Sequence, residues 1–272
     1  MLMVPQAELD SAPARLGPQP QPMAGHLAAL LGVARSLWLY YGDLNQLRRM
    51  RHFYAWLLQP GDLAFDIGAH VGSRTGVWAQ LGARVVAVEP VPQAMRVLRT
   101  LYGRHPRVRL VQAAVGRQAG YLPMLVSEHE PTVSTLSVDW ADRMLRERNA
   151  FARTRWGRSV LVPVTTLDAL IARYGRPAFC KIDVEGYDLE VLHGLSEPLP
   201  ALSFEYVPPA LDLALACVER LCTLGPYEFN WSWGESMRLR WPAGIDASVL
   251  AAYLQAYPPQ GNPGDVYARL RV

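Results

Sequence analysis

The sequence predicts an α/β protein built on a doubly wound, mostly parallel sheet with a helical addition at its N-terminus. Three observations carry that prediction. From residue 63 onward, short β-branched or apolar runs alternate with stretches of helical spacing, the pattern of parallel strands joined by crossover helices. Three of the runs end on an acid, at Asp66, Glu89 and Asp183. A glycine-bearing turn, Gly68-Ala69-His70-Val71-Gly72, links the first run to the helical stretch after it.

The chain begins with residues 1–23, rich in Pro, Gln and Ala and without periodicity, which read as a mobile leader. Residues 24–41 and 43–58 have helical spacing, punctuated by Gly42 and ended by Pro60-Gly61. We expect residues 24–60 to form a lid over the ligand or a cover on the sheet. Residues 61–272 are then the main domain, with residues 127–158 inserted into it.

Residues 62–89, DLAFDIGAHVGSRTGVWAQLGARVVAVE, read as strand, glycine turn, helix and strand. Glycine in such a turn accepts positive φ and lets a ligand lie against the main chain. The turn also delivers its amides and the positive helix N-terminus. An acid at the end of the second strand, Glu89, has two oxygens with which to accept both hydroxyls of a ribose. The stretch therefore reads as a nucleoside crevice. Its spacing, Asp66-x-Gly68-x-x-x-Gly72, is neither the G-x-G-x-x-G of dinucleotide sites nor a P-loop. Asp66 repels a phosphate and suits a cationic ligand. S-adenosylmethionine, with its ammonium, sulfonium and ribose, fits that polarity better than NAD.

Residues 92–102 follow as a helix with Pro92 in its first turn, and residues 108–112 as a third strand. The turn at residues 113–116, centred on Ala114, is placed to receive a base. Residues 121–126 read as an additional, antiparallel strand. The insertion carries Thr132, Ser134, Thr135 and Ser137 ahead of a helical run over residues 139–155. These hydroxyls either line a pocket near the carboxyl edge of the sheet or cap that helix. A short strand at residues 160–164 and a helix at residues 166–174 lead to AFCKIDVEGYDLEVLHGL, residues 178–195. There a strand ends on Asp183, Glu185 lies two residues on, and Gly186 makes the turn.

By the crevice rule Asp183 and Glu185 face the ligand held by Asp66 and Glu89. Two acids so close need a neighbouring positive charge to ionise together, from Lys181, a sulfonium or a metal. His193 reads as a structural histidine. A further strand, residues 199–206, brings Glu205 to the same edge, so a divalent ion at Asp183, Glu185 and Glu205 is chemically reasonable, although no metal is assigned. A helix to residue 224, two strands at residues 227–231 and 237–241, and a helix at residues 247–257 complete the order, with residues 266–270 as a last strand-like end. Trp231 and Trp233 either stack on a substrate or cover the core edge.

Of the 272 residues, 50% are hydrophobic and 19% charged, enough for a substantial core and against bulk disorder. A net charge of +3 does not argue for nucleic acid. The 3 cysteines form no C-x-x-C pattern, which argues against a disulfide framework and a zinc site. No signal peptide or bilayer-spanning run is present, so the expected setting is cytoplasmic, without a membrane partner.

DIGAHVGSRT, VVAVEP, VTTLDAL, KIDVEGYDLEVLHG and FEY, in that order over residues 62–205, resemble the FkbM family of S-adenosylmethionine-dependent methyltransferases. The resemblance implies a class I methyltransferase fold (Rossmann-like), S-adenosyl-L-methionine as cofactor and O-methylation of a small-molecule hydroxyl, in a natural product or a sugar. It also implies that Asp66, Gly68 and Gly72 hold the amino-acid portion of the cofactor, that Glu89 holds its ribose, and that Asp183 and Glu185 lie beside the transferred methyl. His70 stands where the family commonly has Asn, and is read as a cofactor contact. The alternatives are a non-catalytic binding module on the same fold and a nicotinamide-dependent oxidoreductase.

Overall fold

The computed structural model describes residues 43–127, 133–146 and 156–271. The expected leader, the first N-terminal helix, Thr132 and the end of the helical run in the insertion lie outside the described residues.

A seven-stranded sheet forms the centre. Its first strand, β1 (Leu63–Ile67), lies between β2 (Arg84–Val88) and β7 (Phe179–Ile182), parallel to both. Beyond β2 lies β3 (Val108–Val111), and beyond β7 lies β8 (Ala201–Tyr206), again parallel. Beyond β8 come the two C-terminal strands, β9 (Tyr227–Trp233) and β10 (Gly264–Leu270). Strand β10 inserts between β8 and β9, antiparallel to both, so the order is β3-β2-β1-β7-β8-β10-β9. Every residue of β1 and β7 is buried, as expected where helices cover both faces of a parallel sheet. The chain leaves β1 first toward β2 and later, in the opposite direction, toward β7 and β8. Their carboxyl ends therefore open a crevice at the switch point.

Side-chain alternation along β1 divides the core. Leu63, Phe65 and Ile67 belong to one layer with Val191 and Leu192 of α6 (Asp188–His193) and with Val218 and Leu221 of α7 (Leu211–Leu224). The same layer holds α5 (Leu167–Tyr174) and α8 (Ala247–Gln255). On the opposite face Ala64 packs with Trp78 of α2 (Ser73–Gln80) and with Met50, Phe53 and Tyr54 of α1 (Leu44–Tyr54). Tyr54, Trp78 and Phe179 meet edge to face or tilted, with centroids 5.2–5.9 Å apart, a geometry that adds attraction beyond burial. Helix α3 (Pro92–Tyr102) packs Met95 and Leu98 on Ala69 and Ala87.

A second, small sheet lies against the start of α3, where Ala114, Met124, Val162 and Val164 cluster with Val91 and Ala94. It consists of β4 (Ala114–Val115), β5 (Gly120–Val126) and β6 (Arg158–Thr165) in the order β4-β6-β5, with β5 antiparallel to β6 as expected. Helix α4 (Val138–Arg146) follows β5 and packs Trp140 and Met144 on Val207 and Ala210.

One expected strand is absent. Residues 237–241 are not a strand; the antiparallel partner of β9 is β10. The reason lies in Asn230. Its amide accepts from Trp241 N–H at 3.1 Å and donates to Trp241 C=O at 2.8 Å, so the side chain interrupts the backbone pairing along this edge of β9, between the bond from Arg240 N–H to Trp231 C=O and the antiparallel bridge of Phe229 with Ile245.

Candidate functional site

The turn after β1 is shaped by its neighbours. Gly68 and Ala69 both donate their N–H to Val88 C=O, at 2.9 and 3.0 Å, and Asp183 N–H donates to Ile67 C=O at 3.0 Å. The ends of β1, β2 and β7 are thus joined, and Gly68 sits at φ 80° directly over the Asp183 carbonyl. Only a residue without Cβ fits there. His70 also lies in the left-handed region, at φ 49°, and its N–H donates to Glu89 Oε2 at 2.9 Å. Glu89 Oε1 accepts from Val91 N–H at 2.7 Å.

Two hollows open from this junction and share Gly68, His70, Asp183 and Glu185 in their walls. The first, of about 530 Å³, is mostly apolar: Val88, Val91, Ala113, Ala114, Val115, Met124 and Leu136 line it, with Glu89, Ser134 and Tyr187 as polar groups. The second, of about 450 Å³, is polar, with Asp66, Ser73, Arg74 and Lys181 in its wall.

The expected site residues therefore converge, with one exception. Asp66 lines the second hollow, Glu89 and Ala114 the first, and Gly68, His70, Asp183 and Glu185 both. Gly72 lines neither. It precedes α2 at φ 81°, and a Cβ there would lie 2.6 Å from Leu98 and Tyr102, so its smallness admits α3. Of the insertion's hydroxyls, Ser134 lines the first hollow and Thr135 Oγ1 donates to Glu185 C=O at 2.6 Å. Ser137 accepts from Trp140 N–H at 3.1 Å, a helix cap. His193 faces Arg117 and Glu190 on the surface of α6, in the wall of neither hollow. Trp231 is buried among Tyr206, Tyr253 and Tyr257, as core.

The charges are strongly conditioned. Lys181 is 1% exposed and sits with Nζ 2.6 Å from Asp183 Oδ2 and 3.5 Å from Asp265 Oδ1. Burial pushes the Asp183 carboxyl up, but the charges of Lys181 and Arg74 outweigh it and hold Asp183 below the usual carboxylate range. Among the described residues Glu185 has no ion-pair partner, and Lys181 lowers it less than the other groups raise it. Burial, then the charges of Asp183 and Asp188, push it well above the ordinary value. Burial raises Glu89 to about 7 against the help of its two backbone donors. Burial also lowers His70 to about 4, so its ring is neutral at neutral pH. Among the described residues Asp183, Glu185 and Glu205 each bring a carboxylate oxygen within 4.8 Å of the others, a group of the type that holds a divalent ion.

Arg74 escaped the sequence reading. Its guanidinium NH2 pairs with Glu235 Oε1 at 2.7 Å, from the turn after β9. A signal was present, since a cation in the first turn of a helix opposes the dipole and calls for a compensating anion.

No curated protein sequence matches the chain. Among solved structures it is similar to an O-methyltransferase from Bacillus cereus in complex with SAH. The two are 13% identical with a TM-score of 0.44, over 93% of this chain and 92% of that one. It is also similar to precorrin-6y C5,15-methyltransferase from Geobacter metallireducens GS-15, at 16% identity and a TM-score of 0.42, over 84% and 86% of the two chains. A family model described as the methyltransferase FkbM domain matches residues 66–207. The chain therefore belongs to the FkbM methyltransferase family and is an S-adenosylmethionine-dependent methyltransferase.

Proposed function

We propose that this enzyme methylates a hydroxyl oxygen of a small molecule, such as a natural product or a sugar, with S-adenosylmethionine lying across the two hollows. The observation that carries the reading is the shared wall. In the apolar hollow Glu89 would hold the ribose and Ala114 would lie beside the base, and in the polar hollow Asp66 would hold the amino-acid end. Asp183, Glu185 and the neutral ring of His70, in the wall common to both hollows, would then face the sulfonium.

The bound cofactor would supply an electrophilic methyl group on sulfur, and the residues of the shared wall would hold the acceptor oxygen in line with it while a carboxylate takes the hydroxyl proton. Alignment supplies most of the acceleration, about 7–11 kcal/mol. Glu185 suits the proton better than Asp183, because Lys181 already holds Asp183 as an anion. A phosphodiester acceptor fits poorly, since the Asp183 carboxylate, held ionised, repels it. We take residues 61–272 as the catalytic domain, with residues 127–158 as an insertion in it and residues 24–60 as a lid or cover. The three cysteines are unpaired, which suits a reducing, cytoplasmic setting, and among the described residues no helix is long and apolar enough to cross a membrane.

A screen of metabolite extracts with methyl-labelled S-adenosylmethionine tests the acceptor class: label in an alkali-stable methyl ether supports the reading, and label only in RNA or on nitrogen contradicts it. With the acceptor in hand, Glu185→Gln is expected to lower turnover by about 10²–10⁴-fold, much more than it weakens cofactor binding.

The cofactor's affinity should also depend on pH. Ionised Glu89 accepts two hydroxyls and its protonated form does not, so affinity is expected to rise as pH increases through about 7. Calorimetry on either side of that value checks the sign, and Glu89→Ala should flatten the dependence.

A further inference from the structure

The second hollow carries both signs of charge, and the positive side is not explained by the ammonium and sulfonium of the cofactor. Asp66, Asp183 and Glu185 supply the negative side. The positive side is Arg74, beside Ser73 at the start of α2, and Lys181, which is already committed to Asp183 and Asp265. The Arg74 side chain is 11% exposed, and its described bond is the one from NH2 to Glu235. Its Nε is enclosed without a hydrogen-bond partner. A guanidinium has five N–H groups in a planar fork matched to a carboxylate. A helix start adds partial positive charge to the same spot.

We propose that Arg74 is the anchor for the α-carboxylate of the bound cofactor, so that the second hollow is a site for an amino-acid zwitterion: ammonium toward Asp66, carboxylate toward Arg74 and the first turn of α2. This rests on the methyltransferase reading above. A second consequence follows from Glu235. It holds the same guanidinium from the turn after β9, and it stands where an incoming carboxylate competes for Arg74. The ion pair keeps the fork charged and oriented before the cofactor arrives. Adenosine thioethers without the amino-acid end gain nothing from Arg74, and the site discriminates against them.

The test is calorimetric titration of S-adenosylmethionine and of its decarboxylated form into the full chain, for the wild type, Arg74→Met and Glu235→Gln. The wild type is expected to prefer S-adenosylmethionine by about 10–100-fold, the weight of a charge-assisted pair. In Arg74→Met that preference collapses while affinity for the decarboxylated form is retained. Glu235→Gln keeps the preference, and covers the case in which Arg74→Met fails to fold by showing tighter S-adenosylmethionine binding once the competing carboxylate is gone. An unchanged preference in Arg74→Met, or weaker S-adenosylmethionine binding in Glu235→Gln, overturns the assignment. A wild type that binds both forms equally also overturns it. A wild type that binds neither instead overturns the cofactor site as a whole.

Discussion

Gly68→Ala is expected to destabilise the protein by at least about 3 kcal/mol and to abolish cofactor binding. A Cβ on Gly68 would stand 1.8 Å from the Asp183 carbonyl oxygen and 2.9 Å from its carbon. Both partners are backbone, and both are tied down: Gly68 N–H to Val88, Asp183 N–H to Ile67. Neither retreats without parting β1 from β7. The positive φ adds its own penalty. Gly61 separates the two effects, because it has a similar φ of 94° with nothing within 4 Å of its Cβ position. Gly61→Ala should cost about 1–2 kcal/mol, the left-handed term alone. Urea unfolding of the two variants reads the difference, and equal losses would contradict the packing argument.

Lys181→Met should cost about 3–5 kcal/mol of stability, the range found when one partner of a buried ion pair is removed. The ammonium is almost wholly enclosed and lies between Asp183 and Asp265. Without it, buried Asp265 and buried Asp66 both remain near the half-buried Asp183 carboxylate with less positive charge to offset it. The double variant Lys181→Met with Asp265→Asn should recover part of the loss, since it removes one of the orphaned charges. A single-variant loss below about 1 kcal/mol in urea unfolding would show that Lys181 is not the counter-ion that keeps Asp183 ionised.

Much of this arrangement was legible in the residues. Strands β1, β2, β7 and β8 lie in the middle of the sheet between helices, so they stand out as apolar runs, and the acid that ends each run marks the crevice edge. The meeting of Asp66, Glu89, Asp183 and Glu185 followed from the parallel topology. What escaped was set by tertiary contacts. Residues 237–241 have strand-like alternation, but the amide of Asn230 claims the Trp241 backbone, so along that edge of β9 only scattered backbone bonds form, from Arg240 to Trp231 and between Phe229 and Ile245, while β10, from further along the chain, pairs fully on the other edge. Gly72 belongs to the same turn as Gly68 by spacing, and its missing side chain makes room for Leu98 and Tyr102, a packing role that local spacing does not reveal. Arg74 gains its meaning from Glu235, 161 positions away, a pairing that no local pattern encodes.

The account turns on whether the acids at the ends of β1, β2 and β7 enclose one adenosine-bearing, positively charged ligand. Calorimetric titration of S-adenosylmethionine into the wild type and into Glu89→Ala tests this most directly, with thermal unfolding as the check on the fold. The expected result is one binding event per wild-type chain, weakened about 10–100-fold in Glu89→Ala with the fold retained. Equal affinity in the two proteins, or a wild type that binds NAD and not S-adenosylmethionine, would contradict it.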